Sequence, residues 1–188
     1  MTELFLEVKN EPFDTDRLAP LTNLQTLNLA THNETPLDLS GLSALTYIHT
    51  YGSPVARLPT SLVRCQIRVE ADIDMFSLTR LTRLELTVPL DVRVTLPTQL
   101  EELHFSGEAS NLTNISDVGL EVFFNNSWKC PLTREMLDRL PKTLVNVGGS
   151  FEPWTLKDQL GEIPLMYDEH LKNVVIALSA HGPSGDIN

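Results

Sequence analysis

The chain has 188 residues, of which 41% are hydrophobic and only 6% aromatic, and its formal net charge at pH 7 is −11. This length suits one domain or one continuous array, with a core built mainly from leucine and valine. The acidic balance argues against binding nucleic acid through bulk charge, and against an anionic membrane surface. The sequence has no stretch near the roughly 18 apolar residues of a membrane span.

The N-terminal sequence and the cysteines predict a cytoplasmic, reduced protein. The N-terminus has no basic start followed by an apolar run of signal-peptide length. Cys65 and Cys130 are too few for a disulfide framework and lack CxxC spacing. Cys65 falls on a core position of the repeat described below, so we expect it to be a small buried hydrophobe. A secreted origin stays open because the chain has four Asn-x-Ser/Thr sequons, at Asn33, Asn111, Asn114 and Asn125.

A six-residue phrase recurs along the chain, with apolar residues at its positions 1, 4 and 6. Its clearest pair is LTRLEL and LEELHF, which begin 19 residues apart. Five clear copies begin at Leu24, Leu45, Leu62, Leu81 and Leu100, and weaker copies begin at Leu120, Leu144 and Leu171. The spacing of positions 4 and 6 is that of a β-strand. A unit this short has to stack on its neighbours to bury its apolar side.

The residues before each phrase predict how the chain crosses the back of the array. Ahead of Leu24 and Leu45 the leucines continue backward in steps of three, the spacing of a 3₁₀ turn. Ahead of Leu62, Leu100 and Leu144 the lead-in is Leu-Pro-x-x-Leu, and proline cannot propagate a helix interior. The mean period is 21 residues, which leaves no room for long crossover helices. We therefore predict a curved parallel sheet with 3₁₀ or irregular outer connections and few helices.

This pattern resembles the leucine-rich-repeat family over Leu18 to Leu178. LTNLQTLNL is similar to repeats of the internalin and phosphatase-regulatory-subunit kind, whereas LPTSL, LPTQL and LPKTL resemble the short bacterial effector type, so the subfamily stays open. The resemblance implies a right-handed solenoid of the β/α type. In the family, position 9 is an asparagine or cysteine, but no copy here has asparagine there. A regular asparagine ladder is therefore not expected.

We predict a single array over residues 1–178, with about eight repeats and a flexible tail at 179–188. MTELFL keeps the phrase spacing, so residues 1–9 are expected to supply a capping strand. Irregular inserts are expected near 126–143 and 153–166. Within the first, Thr133 to Leu140 can form about two helical turns. The copy at Leu120 has an alternative register that begins at Ile115.

Positions 3, 5 and 7, counted from the first residue of each phrase, face away from the core. In the leucine-rich-repeat family these positions form a concave face, and the resemblance implies that this face binds proteins. Tyrosine and arginine are enriched at interface hot spots, and here their rows are adjacent. We therefore predict a protein or peptide partner with an acidic segment. An alternative is that the face is polar only because it is exposed. The predicted contact residues are Tyr47, His49, Tyr51, Arg64, Gln66, Arg68, Arg83, Glu85, Glu102, His104 and Phe124.

The predicted function is a non-enzymatic protein–protein interaction module or scaffold, without a cofactor, a metal, a nucleic acid or a membrane as ligand. The alternative is a regulatory or substrate-recognition subunit of an enzyme complex or effector. Glu85, Glu102 and His104 could form an acid–base pair, but cross-strand charge pairing with Arg83 is the favoured interpretation. The five histidines lack metal-binding spacing. The apolar last strand could pair with another chain through its edge, so we expect a monomer or weak dimer.

Overall fold

The structure, a computed structural model, describes residues 1–8, 13–31, 35–125, 139–150 and 175–179. Within these ranges nine parallel strands lie side by side in one sheet, and neighbouring strands come from successive repeats. The chain therefore forms a solenoid. The strands of this main sheet are, in order, β1 (Glu3–Glu7), β2 (Thr26–Thr31), β4 (Tyr47–Gly52), β6 (Arg64–Arg68), β8 (Arg83–Thr87), β10 (Glu102–Ser106), β11 (Val122–Asn125), β12 (Asn146–Ser150) and β13 (Val175–Ser179).

Short extended pieces and 3₁₀ turns form the back of the solenoid. Two small parallel sheets pair β3 (Leu37–Asp38) with β5 (Val55–Arg57), and β7 (Ile73–Asp74) with β9 (Val94–Thr95). The described 3₁₀ helices are η1 (Thr15–Leu18), η2 (Ala109–Asn111) and η3 (Ile115–Asp117). The prediction of a parallel solenoid with short outer connections and few helices is confirmed for the described part of the chain.

The apolar positions of the phrase build one continuous core. Leu84, Leu86, Leu103 and Phe105 are each 0% exposed, as the spacing predicts. Burying one such side chain stabilises the fold by roughly 1.5–3 kcal/mol. The expected burial of Cys65 is also confirmed, since its side chain is 1% exposed. The repeats therefore share a spine that no single copy could bury alone.

Both kinds of lead-in make the same tight turn. The N–H of Leu24 donates to the carbonyl of Leu21 at 2.9 Å, and the N–H of Leu100 donates to the carbonyl of Pro97 at 3.2 Å. Each bond spans three residues, as in a 3₁₀ turn. In this turn the proline contributes only its carbonyl, as the hydrogen-bond acceptor, so the absence of an N–H does not weaken the turn. The predicted 3₁₀ turns are confirmed, and the proline copies adopt them as well.

Side-chain bonds between repeats occur without an asparagine at position 9. The Thr46 hydroxyl donates to the carbonyl of Gln25 at 3.1 Å, one repeat earlier. On the back, the Asn111 amide donates to the carbonyl of Pro89 at 2.7 Å. Asn111 is 5% exposed and Asn125 is 1% exposed, so neither sequon side chain has room for a glycan.

Two predicted registers are settled by strand pairing. β11 begins two residues after Leu120, whereas Ile115 lies in η3, so the alternative register at Ile115 is wrong. At the last copy the sequence predicted that Asn173 would align with Asn146, but Asn146 pairs with Val175. The run from Val174 to Leu178 is apolar at every position, so its hydrophobic pattern cannot select one register.

Several predictions fall outside the described residues. They concern most of the insert at 126–143, including the helix from Thr133 up to residue 138, the insert at 153–166, and the tail beyond residue 179. Leu140, at the end of the first insert, is 3% exposed and joins the core. Among the helices that the structure describes, none has the length and apolarity needed to cross a bilayer.

Candidate binding face of the main sheet

The side chains at phrase positions 3, 5 and 7 form what we call the open face of the main sheet, which we follow as far as residue 125 on the strands β1, β2, β4, β6, β8, β10 and β11. Strand pairing aligns them in rows across the repeats, and every predicted contact residue lies on this face. The row at position 5 contains Phe5, Asn28, His49, Gln66, Glu85, His104 and Phe124. The row at position 3 contains Glu3, Thr26, Tyr47, Arg64, Arg83, Glu102 and Val122.

The strands β8, β10 and β11 form the distal half of the open face, where polar side chains contact one another. Nη2 of Arg83 lies 3.1 Å from Oε1 of Glu102, and the same oxygen lies 2.7 Å from Nε2 of His104. The His104 ring stacks on Phe124, with centroids 4.8 Å apart and planes inclined by 27°. The predicted cross-strand pairing of Arg83 is confirmed. The carboxylate and imidazole that resembled an acid–base pair are part of this contact network.

The strands β1, β2, β4 and β6 form the N-terminal half of the open face, where the arginines differ in their partners. Arg68 forms an ion pair with Glu70 at 2.7 Å. Arg64 instead lies over the Tyr47 ring, with its guanidinium carbon 5.6 Å from the ring centroid, a cation–π distance. No carboxylate of the described residues pairs with Arg64. Of the predicted cluster Arg64, Arg68 and Arg83, Arg64 is therefore the member whose charge can take an external anion.

A cavity of about 340 Å³ opens on the N-terminal half. Ala30 pairs with Glu7 on one side and Tyr51 on the other, so its short side chain leaves a gap between longer ones. Phe5 and Tyr51 line this gap and are 72% and 67% exposed. We call it the Ala30 cavity; its lining residues are Phe5, Leu6, Glu7, Asn28, Leu29, Ala30, His49 and Tyr51.

The sequence prediction named His49 and Tyr51 but missed Phe5 and the cavity. It treated the first copy only as a cap, so the alternate residues of β1 were not added to the face. The sequence contained the signal, because MTELFL has apolar residues at phrase positions 1, 4 and 6, which places Phe5 at position 5. Ala30 at position 7, next to the tyrosine of the following copy, was the signal for a depression.

Reactive groups elsewhere have structural roles. Burial raises the pKa of the Cys65 thiol, so the thiol stays protonated and is a packing group rather than a nucleophile. Hydrogen bonds from the hydroxyl and N–H of Ser40, followed by the charge of Arg57, lower the pKa of Asp38, which closes a turn after β3. Within the described ranges, no group of three or more His, Cys, Asp and Glu side chains could hold a metal ion.

Comparisons with known proteins give no identification. No protein-family model matches the chain, and no curated protein matches it significantly.

Proposed function

We propose that this chain is a leucine-rich-repeat protein without catalytic activity of its own, which binds a protein or peptide on the open face of its main sheet. Three features support the family assignment: buried, mostly apolar residues at positions 1, 4 and 6, one parallel strand per repeat, and a 3₁₀ turn before six of the described phrases. Repeat arrays of this kind commonly use their extended sheet face as a binding surface.

The observation that carries the proposal is the division of the open face. In the distal half, Arg83 forms an ion pair with Glu102, whose carboxylate also contacts His104. The N-terminal half exposes the aromatic side chains of Phe5 and Tyr51. Aromatic residues and arginine dominate binding energies at protein interfaces. We therefore place the contact surface on the N-terminal half, with Arg64 as its charged member.

Charge reversal on the open face tests this proposal. The full-length chain is immobilised as wild type, as Arg64→Glu/Arg68→Glu, and as a matched control, Arg80→Glu/Arg93→Glu. Arg80 and Arg93 are exposed and lie outside the main strands, so the control has the same net charge change. Quantitative mass spectrometry of the captured proteins is expected to show a partner retained by wild type and control. The open-face variant should lose at least nine-tenths of it.

Retention of every specific partner by the open-face variant would contradict the proposal. So would equal losses in both variants, because the effect would then be one of net charge. A single stoichiometric enzyme among the partners that depend on Arg64 would identify the chain as a recognition subunit.

A further inference from the structure

We infer that the N-terminal half of the open face binds an extended acidic peptide through one apolar anchor side chain. The anchor fills the Ala30 cavity, and a carboxylate four residues away in the peptide pairs with Arg64. This inference rests on the proposed function and specifies the chemistry of its partner.

The size and walls of the Ala30 cavity indicate the anchor. Its volume of about 340 Å³ is near the lower end of the roughly 300–1,000 Å³ found for ligand pockets. A phenylalanine, leucine or methionine side chain suits such a space. Phe5 and Tyr51 expose most of their surface to water beside it. Covering these two rings supplies the apolar burial that drives association.

The charges around the cavity indicate where the peptide's carboxylate lies. Glu3 is exposed on β1, so the β1 edge of the open face repels a second carboxylate. Arg64 lies on the opposite side, on β6, and its contact with Tyr47 restricts its guanidinium. Since no described carboxylate pairs with Arg64, an acidic residue of the peptide gains this contact without displacing another.

Strand spacing and register set the separation between the anchor and the acid. Adjacent strands are about 4.8 Å apart, so β6 lies about 10 Å from β2, which carries Ala30. Strand pairing aligns Arg64 with Thr26, four residues before Ala30, which adds about 13 Å along the strands and gives a separation of about 16 Å. In an extended peptide, residues four positions apart are separated by about 13 Å and point to the same side. The flexible arginine side chain covers the remaining distance. The acid is therefore four residues from the anchor, because an odd spacing would turn it away from the sheet.

Peptide display on the full-length chain tests the inference. A phage library of random 12-residue peptides is selected on the immobilised protein, and enriched peptides are measured by fluorescence anisotropy. We expect an apolar residue with Asp or Glu four positions away. Arg64→Glu should weaken these peptides at least tenfold, and a new selection on that variant should enrich Lys or Arg at the same position.

Filling the cavity supplies the second measurement. Ala30→Trp should weaken the enriched peptides at least tenfold, whereas Ser106→Trp, the matched change at position 7 of β10, should change affinity less than twofold. Both sites are on the surface of the sheet, and equal unfolding midpoints will show that each variant folds.

The failure modes separate the two proposals. Loss of binding with Ser106→Trp but not Ala30→Trp overturns this inference and leaves the proposed function standing. If binding is weakened only by Arg80→Glu/Arg93→Glu, both this inference and the proposed function are wrong. A selection that enriches no peptide also overturns the inference. So does self-association of the chain that Ala30→Trp abolishes, because the cavity would then bind a second copy of the chain.

Discussion

Thr50 is a polar residue at position 6 of its repeat, where the neighbouring strands carry Leu29 and Ile67. Its side chain is 6% exposed, and its hydroxyl has no hydrogen-bond partner in the structure. A buried polar group without a partner costs about 1–3 kcal/mol. At the scale of single residues, the buried hydroxyl of Thr50 therefore lowers the stability of the apolar core.

Replacing that hydroxyl by a methyl group should stabilise the fold. We expect Thr50→Val to raise the free energy of unfolding by about 1 kcal/mol, because valine fills the same space without the desolvation cost. Thr46→Val is the matched control and should lower it, since the Thr46 hydroxyl donates to Gln25. Urea unfolding followed by circular dichroism gives both values. A loss of stability in Thr50→Val would mean that its hydroxyl is bonded.

The sequence predicted burial better than it predicted partners. Leu84 and Phe105 could be placed in the core from spacing alone, because strand alternation fixes the face of each residue. The pairing of Arg68 with Glu70, and the contact of Arg64 with Tyr47, depend on rotamers chosen in the folded sheet. The phrase positions therefore predicted a cluster of arginines, and the structure gives each of them a different neighbour.

At the scale of elements, the ends of strands are set by how closely successive repeats approach. β10 ends at Ser106, and an added Cβ on Gly107 would lie 2.8 Å from Cζ of Phe105 and 3.1 Å from the carbonyl oxygen of Val88. The backbone there touches both its own strand and the preceding repeat. An added methyl group would fit only if the Phe105 ring and the neighbouring backbone moved.

Gly107→Ala should therefore destabilise the array. We expect the free energy of unfolding to fall by about 1–3 kcal/mol, the usual cost of overpacking. Gly41→Ala is the control, because its added methyl would meet nothing within 4 Å, and its effect should stay within about 0.5 kcal/mol. Thermal and urea unfolding of both variants checks this. Equal effects would contradict the crowding at Gly107.

Element positions were predictable where the phrase alternates between apolar and polar residues. The strands after Leu24, Leu81 and Leu100 begin where expected, because one face has to be buried. The last strand, β13, is displaced by two residues from its predicted position, because its sequence is apolar at every position up to Leu178 and does not select one register. The paired back strands could be predicted only as extended, since two-residue strands carry no periodicity.

At the scale of the whole molecule, the open face is a product of stacking. Residues about one repeat apart become neighbours, so Phe5 and Tyr51 come to flank Ala30 although they lie far apart in sequence. The same stacking joins Arg83 to Glu102 and leaves Arg64 without a carboxylate partner among the described residues. The face as a whole could be predicted from the phrase, but its division into two halves required the strand pairing.

Site-specific photo-crosslinking tests most directly whether the N-terminal half of the open face holds the partner. p-Benzoylphenylalanine is placed at Asn28 beside the Ala30 cavity, at Ser106 on the distal half, or at Arg93 on the back. We predict a crosslinked partner from Asn28 that disappears with Arg64→Glu, and little or none from Arg93. Crosslinking to the same partner from Arg93 but not from Asn28 would contradict the account.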